Sequence, residues 1–193
     1  MNRTPRASNK TLSGYGYAPV NGLTMYYEVH GSGNGVPVVT IHPFAGVANV
    51  FPELARNRRL VAVELQGHGR TPDIDRPLTF EQEADDVGAL IEHLDLGPVD
   101  VFGESFGGIP SMLLAIRHPR LVRKVATYAS PLGDRRKYAR PESASVFAEL
   151  TPEHESVRFQ KEAYEGVSPD PGLWPVLFRK ARGFRGPVWV RTS

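Results

Sequence analysis

The sequence contains no cysteine among its 193 residues. Disulfides, thiolate zinc sites and cysteine nucleophiles are therefore excluded. No apolar run approaches the roughly 20 residues that a membrane-spanning helix needs. Residues 1–16 also lack the apolar stretch of a secretory signal. We therefore expect a cytoplasmic protein without membrane association.

The chain also has little excess charge. Its 23 basic and 21 acidic side chains leave a formal net charge of +2. No basic run is longer than Arg135-Arg136-Lys137, which is typical of a solvated surface cluster. Binding to nucleic acid would favour a concentrated basic face, so we predict no nucleic-acid partner. Hydrophobic residues make up 40%, as in an ordinary globular domain.

The first part of the chain predicts a polar lead-in followed by a hairpin. Residues 1–15 are rich in small and polar side chains, and we predict that they are disordered. Two β-prone runs follow, Tyr17–Val20 and Leu23–Val29. Asn21-Gly22 separates them, and this dipeptide is a strong signal for a tight hairpin turn because both positions tolerate positive φ.

The next hundred residues alternate strands with helices. Four largely apolar runs are typical of strands that are buried on both faces: 36–41, 60–65, 99–102 and 122–128. A helical apolar spacing over Phe80–Leu94 follows a capping pattern of Thr79 and Gln82. A second helix is predicted over 106–117. This alternation predicts an α/β protein with a doubly wound, mostly parallel sheet.

After the lead-in, these patterns divide the chain into three predicted regions: a core, a lid and the start of a further strand. The core is expected to span 16–129, and 130–182 contain no convincing strand. Helix-like pieces at 142–149, 152–165 and 172–181 predict a helical lid over 130–182. The short run Pro187–Arg191, within 183–193, is typical of the start of a further core strand.

The motif Gly103-Glu104-Ser105-Phe106-Gly107 lies between a predicted strand and a predicted helix. A strained turn in this context exposes a serine, and its glycines avoid clashes with the facing backbone. The helix start aims the Phe106 N–H at an oxyanion formed there. Ser105 is therefore the candidate nucleophile, and the alternative is a passive serine in a glycine-rich turn. Pro110, which lacks an N–H, predicts a late helix start or a slight kink.

Two more motifs strengthen the pattern. The segments His42-Pro43-Phe44-Ala45-Gly46 and Gln66-Gly67-His68-Gly69-Arg70-Thr71 each follow a predicted strand. With the serine motif, they resemble the α/β-hydrolase superfamily, in its esterase, lactonase and haloperoxidase-like branch. The resemblance implies that Phe44 donates the second oxyanion N–H, with Pro43 replacing a usual glycine. It implies no metal or organic cofactor, and we expect His42 and His68 to be structural.

A serine nucleophile needs a histidine base and an orienting carboxylate. In this family both follow the serine along the chain, after the lid. The last histidine of this sequence is His154, within the predicted lid, and nothing around it marks it as a base. Asp134 is a candidate acid, although a turn aspartate is the alternative. We therefore expect a fold whose last strands are missing, whose sheet edge is exposed and which self-associates.

These observations favour a serine hydrolase that acts on a small ester or a related carbonyl substrate. The alternative is an inactive hydrolase-like fragment, or a small-molecule binding module with an apolar pocket of Phe44, Phe106 and Trp174. A cofactor-free haloperoxidase activity is a third option. A dehalogenase is disfavoured, since its nucleophile is an aspartate and this motif carries serine.

Overall fold

The computed structural model describes residues 14–48, 50–130 and 151–181. The predicted helix 142–149, the predicted strand 187–191 and the candidate acid Asp134 lie outside the described residues. The proposed division into core, lid and further strand therefore stays a prediction.

The core is a six-stranded mixed sheet with the strand order β1-β2-β4-β3-β5-β6. The strands are β1 (Gly14–Val20), β2 (Leu23–His30), β3 (Gly35–Ile41), β4 (Arg58–Val63), β5 (Val99–Glu104) and β6 (Val122–Tyr128). Strand β2 pairs antiparallel with β1 and β4. The other three pairings are parallel. The predicted mostly parallel sheet is confirmed, although β4 begins two residues earlier than its apolar run.

The predicted hairpin is also confirmed. Asn21 and Gly22 have φ values of 47° and 80°, the left-handed conformations that a tight hairpin turn requires at both central positions. Strand β1 begins at Gly14, so the last two residues of the predicted lead-in belong to the sheet. They pair with the far end of β2, where Gly14 lies opposite Val29.

Five α-helices are described. They are α1 (Pro52–Ala55), α2 (Phe80–His93), α3 (Gly108–Arg117), α4 (Arg158–Glu165) and α5 (Trp174–Ala181). The Thr79 hydroxyl accepts the Gln82 N–H at 3.1 Å, which confirms the predicted start of α2. None of these described helices has the length and apolar content needed to cross a membrane.

Helices cover both faces of the sheet because successive side chains of a strand point to opposite sides. In β4, Val61 and Val63 pack in the cluster that contains α2 side chains. Leu60 and Ala62 pack on the other face, in a cluster that contains residues of α1. All four side chains are fully buried, and each large one contributes about 1.5–3 kcal/mol of hydrophobic stabilisation. This burial on both faces explains why the run is apolar throughout instead of alternating.

The described part of the predicted lid packs on the loop that follows β3. Trp174 and Phe178 of α5 share a buried cluster with Ala45 of that loop. The Trp174 indole N–H donates to the Pro152 carbonyl at 2.7 Å. At the other end of α5, the Lys180 ammonium contacts the Asp73 carboxylate at 2.7 Å. These contacts fix α5 against the loops at the carboxyl end of the sheet.

Candidate active site

The sheet register places the serine motif beside the loop after β3. Strands β3 and β5 are parallel neighbours, and Ile41 lies opposite Gly103. Both strands therefore end at the same edge, one followed by His42 and the other by Ser105. Because ligands of open parallel sheets bind outside the carboxyl ends of the strands, this edge is the candidate site.

Ser105 has a left-handed backbone, with φ of 50°. It follows β5 directly, and a 3-10 turn over Ser105–Gly107 leads into α3. A non-glycine residue in this conformation costs about 1 kcal/mol or more and persists only where its surroundings impose it. Ser105 is partly exposed. The structure therefore has the strained strand-to-helix turn that the motif predicts.

The two glycines of the motif are required by close packing. A Cβ atom on Gly103 would lie 2.5 Å from the Gly107 carbonyl oxygen and 2.6 Å from the Gly108 Cα. A Cβ atom on Gly107 would lie 2.4 Å from the Ile41 carbonyl oxygen. Neither position accommodates a side chain without a backbone shift. The turn is thus tightly seated against the end of β3.

Helix α3 begins at Gly108 instead of the predicted residue 106. Pro110 then occupies the first turn, where backbone N–H groups have no partner within the helix, so its missing N–H costs no hydrogen bond. The late start that Pro110 predicts is confirmed. The buried Ser111 hydroxyl donates to the Gly107 carbonyl at 2.7 Å and fixes the turn to the helix.

Phe44 lies in a turn closed by a 2.9 Å hydrogen bond from the Gly46 N–H to the Pro43 carbonyl. Ala45 adopts a φ of 53° within this turn. Among the backbone hydrogen bonds of the described turns and loops, none has the Phe44 N–H as its donor. The Phe44 and Phe106 rings lie 6.0 Å apart between centroids. The structure thus brings both predicted oxyanion residues to one place.

His42 braces the loop, as predicted. Its Nδ1 hydrogen-bonds the Pro43 carbonyl at 2.7 Å, and its Nε2 accepts the Leu65 N–H at 3.0 Å. The proton therefore resides on Nδ1. Burial lowers the pKa of His42 to about 4. Since both nitrogens are engaged, this neutral ring is unsuited to proton transfer.

His68 is buried beside His42, with ring centroids 4.8 Å apart. Its Nδ1 hydrogen-bonds the Gln66 carbonyl at 2.9 Å. Burial, with a smaller contribution from His42, lowers the pKa of His68 to about 3. The ring is therefore neutral at physiological pH, in agreement with its predicted structural role.

Glu64 is a buried brace that the sequence analysis missed. Its carboxylate accepts the Ala48 N–H at 3.1 Å, the Arg70 backbone N–H, and the Arg70 guanidinium at 2.7 Å. The Thr71 hydroxyl donates to the Glu64 carbonyl at 2.6 Å. These bonds join the loop after β3 to the loop after β4. Gly69 packs on the carboxylate, where a Cβ atom would lie 2.4 Å away, and this fit is visible only in three dimensions.

A narrow cavity, partly open to solvent, lies between these loops, the serine turn and the start of α2. Its described lining residues are His42, Pro43, Phe44, Leu65, His68, Phe80, Glu83, Phe106 and Gly107. Phe44 and Phe106 line it, as the predicted pocket required. Trp174 is not among these described lining residues but packs on Phe44, with centroids 6.4 Å apart. The cavity is small for a ligand site.

Glu83 on this cavity wall is another residue that the sequence analysis missed. Its side chain is 5% exposed. Burial, reinforced by the Asp86 charge, raises the pKa of Glu83 to about 8. In sequence, Glu83 looks like any polar residue at the start of an amphipathic helix, so no local signal distinguishes it from a solvated glutamate.

A family model described as alpha/beta hydrolase fold matches residues 30–161. With the sheet order, the strained turn and the paired loops, this match defines the class. The chain belongs to the α/β-hydrolase fold family.

Several named relatives are hydrolases. The chain is 33% identical over 114 residues to a 2-hydroxymuconate semialdehyde hydrolase of Pseudomonas sp. (strain CF600), covering 53% of this chain and 39% of the relative. It is 37% identical over 97 residues to a pimeloyl-[acyl-carrier protein] methyl ester esterase of Neisseria meningitidis, covering 48% and 30%. The chain thus matches well under half the length of these relatives.

Among solved structures, a haloalkane dehalogenase from Agrobacterium tumefaciens C58 superimposes with a TM-score of 0.61. The superposition covers 89% of this chain and 68% of the dehalogenase, at 23% sequence identity. At this identity the likeness concerns the fold alone.

Proposed function

We propose that the protein is a serine hydrolase acting on a small ester or a related carbonyl compound, with Ser105 as its nucleophile. The observation that carries the proposal is the left-handed backbone of Ser105, with φ of 50°, between β5 and α3. Such strain concentrates at functional sites. Glycine adopts a positive φ without this conformational cost, so a serine at this position indicates a role for its hydroxyl group.

In the proposed reaction the Ser105 oxygen attacks the acyl carbonyl, and a general base takes the hydroxyl proton. The negative charge that develops on the carbonyl oxygen is stabilised by the Phe44 and Phe106 N–H groups. The alcohol leaves with a proton, and water then releases the acid from the acyl-enzyme. Neither His42 nor His68 suits the role of base, because burial lowers their pKa values to about 4 and 3, so that neither ring readily accepts a proton.

The names of the relatives support this reaction class, since they include a hydrolase and a methyl ester esterase. The chain spans only 30–39% of the length of these relatives. The activity and the substrate of the whole protein are therefore proposals.

The test is hydrolysis of p-nitrophenyl butyrate by the protein and by Ser105→Ala. The variant removes the nucleophile and should lower kcat/KM at least about 1,000-fold. Ser168→Ala, which removes a hydroxyl in the turn between α4 and α5, is the matched control and should leave the rate unchanged. Equal turnover by Ser105→Ala and the unchanged protein would contradict the proposal.

A second candidate is a binding module that uses the same cavity without catalysis. It is favoured by the two cavity histidines, whose low pKa values leave neither able to activate a serine. The two candidates differ in the reactivity of Ser105, since a binding module needs no activated hydroxyl.

A further inference from the structure

The loop after β3, residues 42–48, carries the proposed oxyanion donor Phe44 and is held near both of its ends. At its start, His42 Nε2 accepts the Leu65 N–H at 3.0 Å. At its end, the Ala48 N–H donates to the Glu64 carboxylate at 3.1 Å. The two residues that hold the loop are therefore neighbours in sequence, directly after β4.

The Glu64 carboxylate is itself fixed in place. The side chain is fully buried, and the oxygen that accepts the Ala48 N–H also accepts the Arg70 guanidinium at 2.7 Å. The other oxygen accepts the Arg70 backbone N–H. The guanidinium in turn lies 4.7 Å from the centre of the Tyr26 ring and 3.5 Å from the Glu28 carboxylate. Because these contacts fix the acceptor, they also fix the position of the Ala48 N–H.

Oxyanion stabilisation depends on where the donor N–H lies. The donor must lie within about 2.7–3.1 Å of the developing charge, and loss of one donor costs about 100- to 1,000-fold in kcat. The ring of Phe44 packs on Phe106, with centroids 6.0 Å apart, but the direction of its N–H is set by the loop backbone. The serine turn is held separately, by the close packing of Gly107 on Ile41. Loss of a bond to the loop should therefore displace the Phe44 donor and leave Ser105 in place.

We propose that Glu64 is a positioning residue for the oxyanion hole, which holds the loop after β3 through Ala48 and so directs the Phe44 N–H toward the site at Ser105. This inference rests on the proposed function, since an oxyanion forms only if Ser105 attacks a carbonyl group. The oxyanion develops in the transition state, so a displaced donor lowers kcat and leaves KM nearly unchanged. A residue that only stabilised the fold would not change kcat of the folded protein.

The test compares Glu64→Met and Glu64→Gln in the hydrolysis of p-nitrophenyl butyrate, at a temperature at which circular dichroism shows both variants to be folded. Glu64→Met retains the length of the side chain but accepts no hydrogen bond. We expect kcat to fall at least about tenfold, less than for loss of the donor itself, and KM to stay within about twofold. If Glu64→Met does not fold, Glu64→Asp replaces it with the same expected fall, because a carboxylate shorter by one methylene group does not reach Ala48.

Glu64→Gln is the conservative variant. It retains an oxygen that accepts the Ala48 N–H and the Arg70 guanidinium, while its amide group turns a donor toward the Arg70 backbone N–H. The variant should therefore be less stable than the unchanged protein but retain kcat within about threefold. This rescue separates the position of the loop from the stability of the fold.

Hydrogen exchange gives a readout that needs no turnover. The Ala48 amide should exchange at least about tenfold faster in Glu64→Met than in the unchanged protein, and at the unchanged rate in Asp100→Asn. Asp100 accepts hydrogen bonds from two arginines near the start of β5, at the opposite end from Ser105. Asp100→Asn therefore controls for the loss of a bonded carboxylate and should retain the full kcat.

Unaltered Ala48 exchange in Glu64→Met, or equal kcat values for Glu64→Met and Glu64→Gln, would overturn the positioning role alone. Turnover that is the same in the unchanged protein and in Ser105→Ala would overturn the proposed function, and this role with it.

Discussion

Two buried glutamates beside the loop after β3 have opposite surroundings. Glu64 accepts hydrogen bonds from two backbone N–H groups and from the Arg70 guanidinium. Glu83 is nearly as buried, but no described residue is found to hydrogen-bond its carboxyl group. Burial raises the pKa of both carboxyl groups, and only at Glu64 do hydrogen bonds oppose it.

The difference separates scaffold from site. Around Glu64, polar groups are matched to one another: His42, Arg70 and Thr71 all have partners that join neighbouring loops. Glu83 instead lines the cavity, and the partly exposed Ser105 begins the turn whose next two residues line it as well. A buried polar group that is fully bonded supports the structure, whereas burial without such bonds makes a carboxyl group costly to ionise.

The largest expected effect on stability follows from removing the Glu64 carboxylate. Glu64→Ala leaves two backbone N–H groups and part of the Arg70 charge without their acceptor. We expect the free energy of unfolding to fall by about 3–5 kcal/mol, measured by urea denaturation.

Glu83→Met is the matched comparison, because it also removes a buried carboxyl group. It should raise the free energy of unfolding by about 2–3 kcal/mol at pH 7, since no protein hydrogen bond is lost and the cost of keeping the buried carboxyl group protonated is removed. Similar losses in both variants would remove the distinction between the two glutamates.

The next effect is a dependence of stability on pH. The pKa of Glu83 is about 8 in the folded protein against 4.5 normally, so the folded state retains a proton that the unfolded state releases. Stability is therefore fully present below pH 4.5 and is lost as pH rises toward 8. Relative to Glu83→Gln, the protein should lose about 1 kcal/mol per pH unit over this range.

His42 and His68 act in the opposite direction at lower pH. Their pKa values are lowered from 6.5 to about 4 and about 3, so stability falls as pH decreases below 6.5. This loss of stability at acid pH should be the same in the protein and in Glu83→Gln. Thermal unfolding of both proteins from pH 4 to pH 9 checks both predictions. If stability depends on pH in the same way in the two proteins above pH 6.5, the loss of stability at higher pH does not come from Glu83.

A smaller effect concerns the contact between the serine turn and β3. Gly107→Ala introduces a Cβ atom 2.4 Å from the Ile41 carbonyl oxygen, which should cost about 1–3 kcal/mol of stability. At Gly166 the nearest atom would lie 3.3 Å away and φ is −69°, so Gly166→Ala should be nearly neutral. Equal unfolding midpoints for the two variants would show that the turn is not tightly seated.

Much of this architecture follows from local sequence patterns. Asn21-Gly22 predicts the hairpin, and the apolar runs predict the buried strands because their burial on both faces is encoded residue by residue. The serine motif likewise predicts its turn, since positive φ and close packing leave few residue choices.

Glu64 and Glu83 could not be predicted in the same way. Both are ordinary glutamates in sequence, and their surroundings come from segments far apart in the chain, such as Ala48 and Arg70 around Glu64. The predicted acid Asp134 lies outside the described residues and stays a prediction.

The central claim is that Ser105 is a reactive nucleophile. Its most direct test is labelling of the 193-residue chain with a fluorophosphonate, followed by mass spectrometry of the modified peptide. The account predicts one adduct per chain, located on Ser105 and absent from Ser105→Ala. An unlabelled chain, or an adduct that persists in Ser105→Ala, would contradict it.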